Sequence, residues 1–166
     1  MKKNNNKSGF SLVEMLVTIS IFAVIGVLTT RAVSITLRGS KSADSSIRVR
    51  ETLNYSMGVI ERQIRNATKI TNCPLTDPLV LSYTSYEGVS SFFSCNLTAP
   101  GYVASGSATT KLTPADISIT SCAFSCTQPK NNPPVVTVSL TAEDSTQTGI
   151  DKAQVSSQTE IVVRNY

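Results

Sequence analysis

The fold is decided by the stretch Lys7-Ser8-Gly9-Phe10-Ser11-Leu12-Val13-Glu14 and by the apolar segment that follows it, which ends near Leu28. A short basic head precedes a Gly-Phe junction, and one acid lies early in the hydrophobic segment. Residues 10–28 carry Glu14 as their only charge and are long enough, as a helix, to cross a bilayer. A lone carboxylate in hydrocarbon is costly, so Glu14 needs a cation or a proton.

The segment Gly9-Phe10-Ser11-Leu12-Val13-Glu14-Met15-Leu16 resembles the class III signal of type IV pilins and type II secretion pseudopilins. Residue types, their order, the basic leader and the following apolar helix all agree with that motif. In that family a membrane-embedded prepilin peptidase cuts after the glycine and methylates the new N-terminus. The resemblance therefore implies cleavage after Gly9 and methylation of Phe10.

The resemblance also implies a role for Glu14 in subunit assembly. Cleavage frees the amine of Phe10, which can pair with Glu14 of a neighbouring subunit. Docking then satisfies a charge that the isolated subunit leaves unpaired and helps to set the axial register of the helices. Apolar packing of side chains such as Leu12 and Leu16 supplies the remaining driving force. The implied role is structural, and no bond is made or broken by this protein.

The N-terminal segment also admits two alternatives. A Sec signal peptide would not normally carry Glu14, and no small-x-small cleavage site follows Leu28, where the chain reads Thr29-Thr30-Arg31-Ala32. The second alternative is a plain uncleaved membrane anchor. A membrane-anchored surface adhesin of that kind would keep its leader and never polymerise. The lysines of the leader favour a cytoplasmic N-terminus with the head outside, although basic residues beyond Leu28 soften that asymmetry.

The net charge of +4 divides unevenly along the 166 residues. Residues 31–69 hold eight basic side chains against three acidic ones, whereas four basic residues face seven acidic ones from Ile70 onward. A basic stem thus carries a mildly acidic head, which counts against binding of nucleic acid by the head. Aromatic residues make up only 6% and Trp is absent, a composition that suits a small β-rich extracellular domain.

A single long helix is predicted between Phe10 and about Ala67, and Gly39-Ser40 could interrupt it. Its second half is amphipathic, because apolar residues recur at spacings of four, three, four and three. These residues are Leu53, Met57, Ile60, Ile64 and Ala67. We expect the globular head to fold against this stripe.

Beyond Lys69 the pattern changes to short alternating runs separated by Pro and Gly. Strands are predicted at residues 79–84, 91–94, 102–105, 117–120, 136–142 and 160–165, with turns at Pro100-Gly101, at Pro133-Pro134 and over 145–152. The fold class is therefore α+β, a long N-terminal helix packed on a C-terminal antiparallel sheet, as in pilins. The expected segments are a leader (1–9), a transmembrane and filament-core half of the helix (10–30), an amphipathic half (31–69) and a β-rich head (70–166).

Two short segments indicate a subfamily. Ile60-Glu61-Arg62-Gln63-Ile64-Arg65-Asn66-Ala67 and Glu160-Ile161-Val162-Val163-Arg164-Asn165 are similar to J-type pseudopilins and W-type minor pilins, which are present in small numbers in or at the tip of the filament. The resemblance implies several partners: the prepilin peptidase, other pilin or pseudopilin subunits, the membrane before assembly, and the pilus or secretion platform. It implies location in the inner membrane and then in an extracellular or periplasmic filament.

The four cysteines all lie beyond residue 70, in the part expected to face outward. An even number there fits two disulfides formed in an oxidising compartment, and three pairings are possible. Sequence proximity favours Cys73 with Cys95 and Cys122 with Cys126. A zinc site is disfavoured, since the chain has no His and the cysteine spacing is not that of a zinc site.

The residue inventory argues against an enzyme. Without His, neither a Ser-His-Asp nor a Cys-His arrangement can be built, and no Gly-rich phosphate loop is present. Glu143, Asp144 and Asp151 are most simply explained as a polar solvated loop. The run 144–151 has oxygen side chains and a glycine like a calcium loop, but lacks the closing bidentate Glu. We therefore predict a structural subunit without a metal or cofactor.

Overall fold

A computed structural model describes residues 11–106, 110–130, 132–147 and 152–164. One long helix precedes seven described strands, so the α+β, pilin-like arrangement is confirmed. The elements are α1 (Leu12–Arg65), β1 (Lys69–Ile70), β2 (Val80–Thr84), β3 (Ser90–Asn96), β4 (Tyr102–Ser105), β5 (Ile117–Thr127), β6 (Val135–Asp144) and β7 (Gln154–Val162).

Helix α1 is continuous over its 54 residues, and Gly39-Ser40 does not interrupt it. A single glycine costs a helix about 1 kcal/mol relative to Ala, a small penalty when many turns on either side propagate the helix cooperatively. Arg62 and Arg65 lie in the last turn, where cations interact favourably with the helix dipole. The chain divides into two compact units, residues 1–41 and residues 42–166.

The strands of the second unit form two antiparallel sheets, in the orders β1-β2-β3-β4 and β5-β6-β7. Two backbone hydrogen bonds join β5 to the first sheet's connecting segments: Ile119 N donates to Gly101 O (2.9 Å) and Phe124 N donates to Pro78 O (2.7 Å). Gly101 lies so close to the carbonyl oxygen of Ile119 that a Cβ atom would clash with it. The predicted Pro100-Gly101 turn therefore marks a place where two backbones approach closely.

The predicted apolar stripe of the helix is buried in the core of the second unit. Ile60 and Ile64 are 0% exposed, and the other stripe residues Leu53, Met57 and Ala67 are at most 6% exposed. They share one hydrophobic cluster with inward side chains of both sheets, among them Leu81, Phe93, Phe124, Val138, Leu140 and Ile161. The helical periodicity thus identified the surface on which the head is folded.

The strand predictions are confirmed in position but not always in extent. The alternation at 136–142 continues along the whole of β6, in which every second residue is buried. The run at 117–120 extends to Thr127, because Cys122, Phe124 and Cys126 continue to face inward. The last strand begins at Gln154 rather than Glu160 and ends at Val162, and β1 was not predicted.

The predicted pairing of Cys73 with Cys95 and of Cys122 with Cys126 is wrong. The bridges are Cys73–Cys126 and Cys95–Cys122, with Cα–Cα distances of 5.3 and 6.3 Å. Cys122 and Cys126 lie on one extended strand, where four residues span about 13 Å at roughly 3.3 Å each, well beyond the reach of a disulfide. The bridge from β3 to β5 instead links the two sheets covalently.

Candidate processing and assembly segment

Cleavage and methylation were predicted at Gly9 and Phe10, which lie outside the described residues. The first described residue is Ser11, and helix α1 begins immediately after it at Leu12. The Met15 amide donates to the Ser11 carbonyl (3.2 Å), closing the first turn of the helix. Leu12 follows the predicted junction closely in sequence, and Glu14 lies in the first turn of the described helix.

The apolar side chains of the first half of the helix are exposed in the described chain. Leu12 is 80% exposed, Phe22 74% and Leu28 60%. By length and composition this helix could cross a membrane. None of its most apolar stretch of 18 residues is buried. Exposed apolar surface on this scale needs either lipid or protein around it.

Hydroxyl side chains in this half are hydrogen-bonded to the helix itself. Each donates to a backbone carbonyl three or four residues earlier: Thr18 to Met15 (2.9 Å), Ser20 to Leu16 (2.8 Å), Thr29 to Gly26 (3.0 Å) and Thr30 to Gly26 (2.8 Å). Such bonds leave no unpaired donor to be desolvated in an apolar medium. The hydroxyl groups are therefore compatible with hydrocarbon.

Glu14 differs from these hydroxyls, because no partner for its carboxylate lies among the described residues. Its side chain is exposed, and within the described part of the chain no basic group lies within ion-pair distance of it. A carboxylate on an otherwise apolar helix is left to be satisfied from outside the described residues. The pairing of Glu14 with the Phe10 amine of a neighbouring subunit stays a prediction.

The N-terminal segment of the chain matches a known family motif. A family model described as the prokaryotic N-terminal methylation motif matches residues 4–30. The chain carries a class III signal of the type IV pilin kind. The matched range covers the Gly9-Phe10 junction, Glu14 and the apolar half of the helix. This signal with its apolar helix fits anchoring in a membrane before assembly. No curated protein and no solved structure gives a significant match to the chain.

The head contains a buried carboxylate that was expected in a solvated loop. Asp144 is the last residue of β6 and is 0% exposed. Its Oδ2 accepts a hydrogen bond from Ser45 Oγ (2.7 Å), and its Oδ1 accepts from Thr146 N (2.9 Å) and Thr146 Oγ1 (2.5 Å). The alternation along β6 could have predicted the burial of Asp144, because residue 144 is in phase with the buried positions 140 and 142.

The surroundings of Asp144 set its charge. Burial on its own raises the pKa of this carboxyl, but hydrogen bonds from Thr146 and Ser45 and the nearby Arg48 guanidinium outweigh it, and the pKa lies below its ordinary value. Arg48 Nη2 is 3.4 Å from Oδ2. Asp144 is therefore an ionised structural anchor between the helix and the second sheet.

The run 144–151 that resembles a calcium loop is described only as far as residue 147, and Asp144 at its start has other partners. Both carboxylate oxygens of Asp144 already accept hydrogen bonds, and the Arg48 cation stands where a metal ion would be repelled. Glu143 pairs instead with Lys152 (2.6 Å), while Asp151 lies outside the described residues. In the described ranges, no group of three metal-binding side chains is close enough to hold an ion.

Proposed function

We propose that this chain is a prepilin-type structural subunit, cut after Gly9 by a prepilin peptidase and assembled from the membrane into a type IV pilus or a type II secretion pseudopilus. The observation that carries the proposal is the methylation motif at residues 4–30, which runs directly into an exposed apolar helix. The alternative, an uncleaved membrane-anchored adhesin, leaves the motif without a use.

Within that family we propose a minor subunit, a J-type pseudopilin or a W-type minor pilin. Support comes from the two short segments at 60–67 and 160–165 that resemble these types. The partners are then the peptidase, neighbouring subunits packed along the N-terminal helix, and the assembly platform. The subunit acts by position in a filament and performs no reaction of its own, which accords with the lack of His in the sequence.

Mass spectrometry of the mature N-terminus tests the first step. Co-expression with an active prepilin peptidase should give a peptide that begins at methylated Phe10, and an inactive peptidase should leave the leader in place. Gly9→Val should block cleavage, because the peptidase reads the junction glycine. Gly26→Ala is the matched control, since a Cβ at that helical glycine meets no atom within 4 Å beyond the adjacent backbone of its own helix, and it should be cut normally.

The outcomes separate the candidate functions. A mature chain that keeps Met1 in the presence of active peptidase would point to an uncleaved anchor and overturn the proposal. A chain that begins after Leu28 would identify a Sec signal peptide. Correct processing should be followed by incorporation into filaments, which immunogold labelling of sheared pili or overproduced pseudopili detects.

A further inference from the structure

The head has a cavity of about 400 Å³ between the last turns of α1 and the turn that joins β2 to β3. Its volume falls in the range of small-molecule sites, about 300–1,000 Å³. Every described residue that lines it belongs to the second unit, from Arg62 to Ser105. The assembly contacts proposed above, through Glu14 and the apolar half of the helix, involve none of these residues.

The buried part of the cavity lining consists of hydrogen-bonded polar side chains. Tyr83 is 3% exposed and its ring stacks on Phe93, with 5.5 Å between ring centroids. The Tyr83 hydroxyl donates to Gln63 Oε1 (2.5 Å), and Ser105 Oγ donates to the same oxygen (3.5 Å). These bonds fix the orientation of the Gln63 amide before any ligand arrives.

The amide nitrogen of Gln63 is left available by this arrangement. In the described chain Gln63 Nε2 donates no hydrogen bond, and no side-chain nitrogen or oxygen is both buried and unsatisfied. The nitrogen is therefore accessible, and an amide nitrogen carries two donor hydrogens. A fixed, accessible donor in a cavity wall is suited to a ligand oxygen.

The rim is built by the turn over residues 85–89. Gly88 has a φ of 79°, and its amide donates to the Ser85 carbonyl (3.0 Å), which places Tyr86 and Glu87 at the tip of the turn. Tyr86 is 73% exposed, and its hydroxyl donates to Glu87 Oε1 (2.7 Å). That hydrogen bond raises the pKa of Tyr86, and it also restrains the position of an exposed aromatic ring beside the cavity.

The charges of the lining indicate the class of ligand. Arg62 and Glu87 are its only described charged side chains, of opposite sign, and the remainder is mostly hydroxyl and amide. Phosphate-bearing and acidic ligands are usually held by clusters of Arg and Lys, which this cavity lacks among its described residues. A neutral ligand with several hydroxyl groups and a flat apolar face matches both the hydrogen-bonded polar lining and the exposed ring.

We propose that this cavity binds a short neutral saccharide, with a sugar ring against Tyr86 and sugar hydroxyls hydrogen-bonded to Gln63 and Glu87. Tyr83 and Ser105 act as positioning residues, since they hold the Gln63 amide through its oxygen. The site goes beyond the assembly function and does not depend on it, because it is formed entirely within the head of a single chain.

The test is binding of the full chain, in phospholipid nanodiscs, to an array of neutral and acidic glycans. Nanodiscs are preferred because alkyl glycoside detergents carry sugar head groups that would compete. We expect one or more neutral oligosaccharides to bind, and Tyr86→Ala to weaken that binding about tenfold. Gln63→Leu should weaken it as well, by removing the fixed donor.

Tyr55→Ala is the matched control. Tyr55 is another exposed tyrosine of the same unit, 62% exposed on α1, and it does not line the cavity. Circular dichroism should show that both tyrosine variants fold as the wild type does. Absence of binding to every neutral glycan, a preference for acidic glycans that is retained in Tyr86→Ala, or equal losses in Tyr86→Ala and Tyr55→Ala would each overturn the proposal.

Discussion

Ser45 Oγ donates a 2.7 Å hydrogen bond to Asp144 Oδ2 across 99 residues of sequence, and both side chains are fully buried. One turn further along the helix, Arg48 approaches the same oxygen (3.4 Å) and also Asp116 Oδ2 (3.9 Å). Ser45 is the first buried residue of α1. The polar cluster therefore anchors the helix to β6 at the point where the helix enters the core of the head.

Replacing Asp144 by Asn should destabilise the head by about 2 kcal/mol, because bonds from Ser45 and Thr146 to an ionised acceptor are lost or weakened. Asp44→Asn is the matched control. Its side chain is 71% exposed and pairs with Arg48 (3.5 Å), so the change should stay within about 0.5 kcal/mol. Urea denaturation of the two variants, followed by circular dichroism, measures the difference. Equal midpoints would show that the buried bond contributes nothing.

The same carboxylate predicts a pH dependence of defined sign. Its pKa in the folded head lies below the ordinary value of 3.8, so the folded state favours the ionised form. That stabilisation is fully present above the unfolded pKa and is lost as the pH falls through the folded pKa. The stability of the wild type should therefore drop more steeply below pH 4 than that of Asp144→Asn. Denaturation series from pH 7 to pH 2 test this, and parallel curves would contradict it.

The parts of the fold that were predicted correctly are those with local signals. The stripe from Leu53 to Ala67 repeats with the helical period, so its burial follows from spacing alone. The β6 alternation is equally local. By contrast, exposed and half-buried residues alternate in β7 between Gln154 and Glu160, and all of them except Val155 are polar. Such a strand lacks the alternation of apolar residues that marks a strand in a sequence.

The disulfides show why contacts between residues distant in sequence could not be predicted. Of the three possible pairings, sequence proximity favours the one that joins Cys122 to Cys126, although with Phe124 these residues form a period-two buried run. That run predicts a strand, and a strand holds its own alternate residues too far apart to be bridged. Which residue of another element then lies opposite depends on sheet topology, which spacing alone does not determine. For Asp144 the alternation along β6 indicates burial locally, but its partner Ser45 belongs to the helix and could not be predicted from spacing.

Truncation in the core should be far more damaging than truncation at the surface of the same helix. Ile60 is 0% exposed, and Ile60→Ala should destabilise the head by about 3 kcal/mol through lost burial and a residual cavity. Ile47 is 54% exposed in the same unit, and Ile47→Ala should change stability by no more than about 0.5 kcal/mol. Urea midpoints of the two variants give the comparison. A similar loss in both would contradict the burial of the stripe.

Peptide mapping without reduction should find Cys73 linked to Cys126 and Cys95 linked to Cys122. The sequence separations are 53 and 27 residues, so removal of either bridge alone should destabilise by roughly 4 kcal/mol in the chain-entropy treatment. Paired Cys→Ser variants, one pair at a time, measure this against the wild type in urea. Recovery of a Cys122–Cys126 peptide would refute the pairing, because that link cannot form across an intact β5.

The proposed assembly depends on Glu14, and substitution of this residue separates insertion, cleavage and docking. Glu14→Leu should insert into the membrane at least as well as the wild type, because it removes a costly group from the apolar helix. It should still be cut, because the peptidase reads mainly the basic leader and the Gly9 junction. It should fail in filaments, since the Phe10 amine of a docked subunit is then buried without its counter-charge, a loss of about 3–5 kcal/mol.

Two matched variants identify the cause of such a failure. Glu14→Gln retains the shape and hydrogen-bonding capacity of the side chain but removes its charge, and it should be as defective as Glu14→Leu. Val17→Leu alters the half-exposed apolar surface of the same helix without touching charge, and it should incorporate normally. Membrane level, N-terminal mass and filament content are measured for each variant. Because only the charge has changed, normal incorporation of Glu14→Gln would remove the ion pair from the mechanism. Glu14 would then keep a role only in recognition by the processing or assembly machinery.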